Sequence, residues 1–90
     1  MAIVRLDPSL AEITKGKAKL KVSASSVRET LLTLDREYPG LRAALVDKGD
    51  ELQNFVLIYV DDEDIRYCGG LDVEVKPDTE IVIIKAVAGG

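Results

Sequence analysis

Between Lys17 and Tyr38 the hydrophobic period of the chain changes from two to 3.6, and that change leaves few folds open. Lys17-Ala18-Lys19-Leu20-Lys21-Val22 alternates without interruption, which puts Ala18, Leu20 and Val22 on one face of a strand and lysines on the other. Ser26 and Glu29 then stand as a capping box, in which hydroxyl and carboxylate each satisfy a backbone donor at a helix start. Val27, Leu31, Leu34 and Tyr38 follow at helical spacing, a single apolar stripe that Pro39-Gly40 brings to an end. Such a stripe needs a sheet to cover, and the half-exposed strand before it belongs to that sheet.

The remaining segments supply the other strands. Ala2, Val4 and Leu6 alternate and Pro8 closes the run, because proline cannot donate to a central ladder. Lys15-Gly16 is turn chemistry, so this strand and the Lys17–Val22 strand form a hairpin with a loop of several residues. After the helix, Leu41 to Val46 reads as a short extra turn and Asp47-Lys48-Gly49-Asp50 as loop. Phe55 to Val60 is a continuous apolar run of strand length. The acidic turn Asp61-Asp62-Glu63-Asp64 leads from it into Ile65-Arg66, a short returning strand. Leu71-Asp72-Val73, a turn at Lys76-Pro77-Asp78 and a last strand from Glu80 to Ala86 complete the chain.

The order strand, strand, helix, strand, short strand, strand belongs to the α+β class, one mixed sheet with one main helix packed on one face. The β-grasp, or ubiquitin-like fold, is the compact solution with that order. A ferredoxin-like arrangement is the rival, but it needs a second helix of comparable length, and Leu41–Val46 is too short. The expected organisation is a β-grasp domain over residues 1–85 and a flexible C-terminal tail over 86–90.

Composition excludes several kinds of work. A net charge of -4 argues against nucleic acid as a partner, since phosphate contacts need a clustered basic face. No apolar stretch is long enough to span a bilayer and no signal sequence opens the chain, so the expected location is cytoplasmic, with no membrane partner. One cysteine and no histidine remove the usual metal-ligand sets and the hydrolytic triad. No metal site is expected, and catalysis by this chain alone is not. The run Asp61 to Asp64 lacks the spaced ligands and glycine of a calcium loop and reads as a solvated turn. Lys15, Lys17, Lys19 and Lys21 read as a solvent face that resists edge pairing. Cys68 reads as a small, partly buried packing residue, with nearby acids raising its pKa.

Two features point outward to partners. The sequence closes Ala86-Val87-Ala88-Gly89-Gly90 directly after a strand-like run. Glycines without a Cβ can enter a channel too narrow for side chains, so the terminal carboxylate of Gly90 is the candidate reactive group. Fraying at a chain end is the alternative explanation of the same glycines. Second, Phe55–Val60 and Ile81–Ile84 are apolar on both faces, yet one helix covers only one side of a sheet. Val56, Ile58, Val60, Ile81 and Ile83 are assigned inward, which leaves Leu57, Tyr59, Val82 and Ile84 as an exposed patch suited to a partner. The alternatives are cover by the Leu41–Asn54 segment or by a second copy.

Tyr59-Val60-Asp61-Asp62-Glu63-Asp64-Ile65-Arg66-Tyr67 with Gly70-Leu71, and the tail Ala86-Val87-Ala88-Gly89-Gly90, resemble the hairpin and tail of the small ubiquitin-like sulfur carriers of the MoaD/ThiS family. The likeness is to the longer members, which include the molybdopterin synthase small subunit and the carrier that delivers sulfide for cysteine synthesis. Lys85 departs from the proline or apolar residue that the resemblance leads one to expect before the tail.

The resemblance implies a chemistry. An ATP-dependent adenylating enzyme activates the carboxylate of Gly90, and a sulfur donor converts the acyl-adenylate to a thiocarboxylate. The chain would hold no cofactor of its own, the ATP being used by the activating partner. It would insert Ala86, Val87, Ala88 and Gly89 into partners and act as a carrier rather than an enzyme. The implied acceptors are a molybdopterin synthase large subunit, in molybdenum cofactor biosynthesis, or a cysteine synthase, in cysteine biosynthesis. A protein modifier joined to lysines through Gly90 is the alternative that starts with the same adenylation. An interaction module with inert glycines is the third.

Overall fold

Alternating segments become strands only where backbone partners are in register, and the computed structural model, which describes residues 1–49 and 51–85, shows where that happens. Strands β1 (Ala2–Leu6), β2 (Lys19–Val22), β3 (Val56–Val60), β4 (Glu63–Asp64) and β5 (Glu80–Lys85) form one sheet in the order β2-β1-β5-β3-β4. The first and last strands lie parallel at its centre, and the other pairings are antiparallel. Helix α1 (Val27–Glu37) lies on one face, and a short helix α2 (Leu41–Leu45) follows it. This is the mixed sheet and single main helix of a β-grasp.

The core is the meeting of the two periodicities. Val27, Leu31 and Leu34 from α1 are buried with Val4, Val56, Ile58, Ile81 and Ile83 from the sheet, and Tyr38 is buried at the stripe's end. Each such side chain fully removed from water contributes about 1.5–3 kcal/mol. Leu41 and Leu45 are fully buried in the same cluster, so the Leu41–Asn54 segment adds to the core on the helix side. Gly40, at φ 100°, makes the reversal between the helices in a region open chiefly to glycine, and Asp35 accepts from the backbone N–H groups of Gly40 and Arg42, both at 3.1 Å.

Three expectations need correction. The second strand begins at Lys19, and Ala18 is exposed. Lys15 and Gly16 adopt left-handed backbone angles, and the carbonyl of Lys17 accepts from the Thr14 hydroxyl at 2.7 Å, so loop closure uses the start of the alternating run. Ile65-Arg66 is not a returning strand. The Asp64 carboxylate accepts from the Arg66 N–H at 2.9 Å and starts a 3-10 turn over Ile65–Tyr67, which buries Ile65. In the third case the capping box is displaced. Ser26 accepts from the Glu29 N–H at 3.1 Å as expected, but the Glu29 carboxylate reaches the Ser25 hydroxyl at 2.6 Å and the Ser25 N–H at 3.4 Å.

That cap has a measurable consequence. Ser26→Ala is expected to cost about 1 kcal/mol, read as a lower urea midpoint. The Ser25 hydroxyl foremost, then the Ser25 N–H, holds the Glu29 carboxyl below its ordinary value. A carboxyl depressed in the folded chain stabilises the fold above its unfolded pKa, near about 4.3, and the contribution is lost as pH falls through the folded value. Glu29→Gln is therefore expected to flatten the acid limb of stability against pH while leaving the fold intact.

The acidic turn is put to structural use. Asp61 and Asp62 have positive φ, 48° and 71°, as a two-residue hairpin turn between β3 and β4 requires. Asp61 also accepts from the Glu80 N–H at 3.0 Å, which ties the turn to the start of β5. The run is thus only in part the solvated turn expected.

Candidate functional site

Alternation along β3 and β5 sends one set of residues to the helix and the other to the open face of the sheet. Val56, Ile58, Val60, Ile81 and Ile83 are buried beneath α1, whereas Leu57, Tyr59 and Val82 are half-buried and Ile84 is 36% exposed. The faces agree with the assignment made from the sequence. Leu57 lies directly opposite Ile84 and Tyr59 opposite Val82, so the four side chains form adjacent cross-strand pairs of the kind whose Cβ atoms sit about 4.5–5.5 Å apart. The leucines of the Leu41–Asn54 segment considered as a cover do not supply it: Leu41 and Leu45 are buried in the core cluster.

The patch has a charge gradient across it. Towards β2, Ile3 and Arg5 continue the open face, and Lys21 and Lys19 stand opposite them at the edge. Arg5 pairs across the strands with Glu80 at 2.9 Å. Towards the other edge, Asp64 stands opposite Tyr59 and the acidic hairpin turn follows. An apolar strip therefore runs between a basic rim and an acidic rim, and its last member, Ile84, immediately precedes the final described residue of the chain. Lys85 shares the helix-side face by alternation and is half-buried, so the departure from the family pattern lies off the patch.

Ala86, Val87, Ala88, Gly89 and Gly90 lie outside the described residues. The point from which they leave is described, and it contains residues that sequence reasoning missed. The backbone N–H of Asp7 donates to the Ile83 carbonyl at 2.9 Å, and the Ser9 hydroxyl reaches the Lys85 carbonyl at 3.3 Å. Asp7 also accepts from the Ser9 N–H at 3.2 Å, capping a 3-10 turn over Pro8–Leu10. The Asp7-Pro8-Ser9 triplet carried that signal, since an acidic cap before proline is a helix-start signature.

Cys68 is exposed, not partly buried. The two glycines after it carry the chain through positive φ, 123° and 67°, which leaves the side chain outside the core. Its thiol donates to the Glu63 carboxylate at 3.3 Å, and that bond foremost, with slight desolvation and the charges of Glu63 and Asp64, pushes the thiol up. A thiol raised above its ordinary value is mostly protonated at neutral pH and is a poor nucleophile. An open cleft of about 420 Å³ lies between Arg28, Arg66, Gly70, Leu71 and Asp72. Arg28 pairs with Asp72 within the cleft at 3.3 Å, and Arg66 of its lining donates to the Gln53 carbonyl at 3.1 Å.

This geometry resembles that of known proteins along its whole length. The model of the ThiS family matches residues 5–90. The sulfur carrier protein CysO of Mycobacterium tuberculosis is 34% identical over 79 residues, 86% of this chain and 85% of that one. The structure of the Amycolatopsis orientalis BexX/CysO complex contains a chain that superposes with a TM-score of 0.92 at 33% identity, with 100% of both chains covered. The small archaeal modifier protein 1 of Methanosarcina acetivorans gives a TM-score of 0.83 at 33% identity, covering 99% of this chain and 95% of that one.

Proposed function

The chain belongs to the ThiS family, and from that premise we propose that it is a sulfur carrier whose reactive group is the terminal carboxylate of Gly90. What carries the proposal is that the family likeness runs through Gly90 itself, the residue whose chemistry is in question. The likeness to carriers named CysO supports the same role.

A carboxylate resists attack because its charge is delocalised and oxide is a poor leaving group. In the proposed sequence the Gly90 carboxylate attacks the α-phosphorus of ATP on an adenylating partner, and pyrophosphate leaves. Sulfide equivalents from a sulfur donor then attack the acyl carbon, AMP leaves, and a thiocarboxylate remains. The chain acts as co-substrate rather than catalyst and binds no cofactor of its own. Ala86 to Gly89 carry the group into the partner's active site. Leu57, Tyr59, Val82 and Ile84 form the docking patch, which removes apolar area from water next to the root of the tail. Acceptors of the sulfur are a cysteine synthase, the route that likeness to CysO favours, or the large subunit of a molybdopterin synthase. Cytoplasm is the compartment in which ATP and an unpaired exposed thiol such as Cys68 coexist. No helix among the described residues is long and apolar enough to cross a membrane.

Likeness to the small archaeal modifier protein 1 favours a second use of the same activated Gly90, an isopeptide bond to lysines of other proteins. The mass of the intact protein and of its C-terminal fragment separates the two, after incubation with ATP, the activating enzyme of its own cells and a sulfur donor. One sulfur in place of one oxygen on the Gly90 fragment is the expected result. A Gly90-lysine branch instead would make the protein a modifier, and an unchanged tail in the presence of active partners would leave an inert interaction module.

A further inference from the structure

We propose that the Ser9 hydroxyl is an anchor of β5, the last among the described residues, so that Ser9 fixes the end of the strand from which the tail continues and thereby how Gly90 is presented; the second half rests on the sulfur-carrier reading. Ser9 is a positioning residue in this proposal and touches no reacting atom.

The anchor follows from the register of the central strands. Along the parallel ladder the Ile3 N–H donates to the Thr79 carbonyl at 3.0 Å and the Asp7 N–H to the Ile83 carbonyl at 2.9 Å, four residues further on both strands. Rungs of this kind recur every two residues, so the next donor, facing the Lys85 carbonyl, would be the backbone N–H of Ser9. Pro8 prevents it: its fixed φ turns the chain into a 3-10 turn, and the Ser9 N–H goes to the Asp7 carboxylate at 3.2 Å. The Ser9 side chain takes the vacated place, its hydroxyl 3.3 Å from the Lys85 carbonyl. The ladder is thus prolonged by one rung after the strand itself has ended.

β3 does not offer that carbonyl an alternative. In an antiparallel pair bonded and non-bonded rungs alternate. The Asp61 N–H donates to the Glu80 carbonyl at 2.9 Å, so the bonded rungs fall on Tyr59/Val82 and Leu57/Ile84, and Val56/Lys85 is a non-bonded rung. The Val56 N–H is engaged elsewhere, with the Gln53 carbonyl at 3.0 Å. The Lys85 carbonyl therefore faces β1, where Ser9 is its donor. A hydroxyl has one proton, and the Asp7 carboxylate is also within its reach, so the donor is shared and the bond to Lys85 belongs to the weak end of the range.

The consequence for presentation is one of length. With Lys85 held, a five-residue length separates the anchor from Gly90, at most about 18 Å of chain, and with the anchor moved back to Ile83 that maximum grows by roughly 7 Å. Ile84 and Lys85, once released from β5, must be ordered again when the chain docks on a partner.

The test is a pair of variants, Ser9→Ala and Ser9→Thr, in the full chain. Ser9 is exposed, so both are expected to fold. In Ser9→Ala the 15N heteronuclear NOE at Ile84 and Lys85 of the free protein is expected to fall, and in Ser9→Thr, which keeps the hydroxyl, to stay at the wild-type value. With the adenylating enzyme of its own cells, Ser9→Ala is expected to raise the KM for the carrier about twofold, the low end of what one hydrogen bond supplies, with kcat unchanged and Ser9→Thr restoring the wild-type KM. Unchanged NOE values in Ser9→Ala overturn the anchor whatever the chemistry of Gly90. A fall in NOE with an unchanged KM overturns the presenting role. Failure of the wild-type chain to gain sulfur overturns the carrier reading instead, and the NOE comparison still decides the anchor.

Discussion

Removal of Gly89 and Gly90 is expected to bring the sulfur gained on incubation with ATP, activating enzyme and sulfur donor down to background, while the thermal midpoint stays within about 2 °C of the intact chain. Among the described residues the hydrophobic core runs from Ala2 to Ile83, and the excised glycines have no side chain to add to it. The acyl carbon on which the proposed chemistry takes place is lost, however, and the new terminal residue is Ala88, whose Cβ crowds the carbon a partner must reach. Gly90→Ala, which keeps the length and adds only that methyl group, separates steric crowding from loss of reach. Mass spectrometry of the C-terminal fragment, with a melting curve on the same sample, makes the measurement. Sulfur transfer that survives the deletion would sink the proposal that Gly90 is the carrier atom.

The second large effect is a contrast between neighbours. Ile83 and Ile84 are consecutive on β5, yet Ile83 is fully buried under α1 and Ile84 is on the open face. Ile83→Ala is expected to cost about 2–5 kcal/mol, because the removed atoms leave a cavity the packed core fills only in part. A chain of this size has a total stability of roughly 5–13 kcal/mol, so this one change removes a large share of it. Ile84→Ala is expected to cost only about 0.2–1 kcal/mol, the worth of its cross-strand pair with Leu57. Ile84→Asp is expected to weaken docking to the activating enzyme, since it sets an unpaired charge at the end of the apolar strip nearest the tail. Urea unfolding of the first two and titration calorimetry of the third read these outcomes. Wild-type affinity in Ile84→Asp would remove the strip from the docking surface, and equal destabilisation by the two alanines would contradict the facing of β5.

Much of this was legible before any coordinates. The stripe Val27, Leu31, Leu34 and Tyr38 is buried as its spacing requires, and the assignment of Val56, Ile58, Val60, Ile81 and Ile83 inward holds residue by residue. Both readings depend only on local geometry: a helix and a strand repeat with fixed periods, and one side of each is apolar. Where the sequence misled, a side chain competed with the backbone. Asp64 turned an expected strand into a 3-10 turn, Thr14 and Lys17 shortened β2, and Ser25 took the carboxylate meant for the Ser26 cap. Such polar contacts give no periodic signal, because each depends on where one atom sits.

The sequence by itself determined the class of the fold, the buried faces of its elements and, through the terminal glycines and the Tyr59–Tyr67 motif, the family. Periodicity and turn chemistry act over a few residues, and a motif is a string that can be read directly. Only the tertiary structure decided that β1 and β5 lie side by side, because residues some eighty positions apart become neighbours through the sheet and no local rule couples them. That pairing puts the Asp7-Pro8-Ser9 turn against the end of β5, converts a helix-start signature into a hold on Lys85, and sets the apolar strip next to the root of the tail. The physical reason is that a hydrogen bond between distant segments exists only once the sheet has brought donor and acceptor within about 3.5 Å.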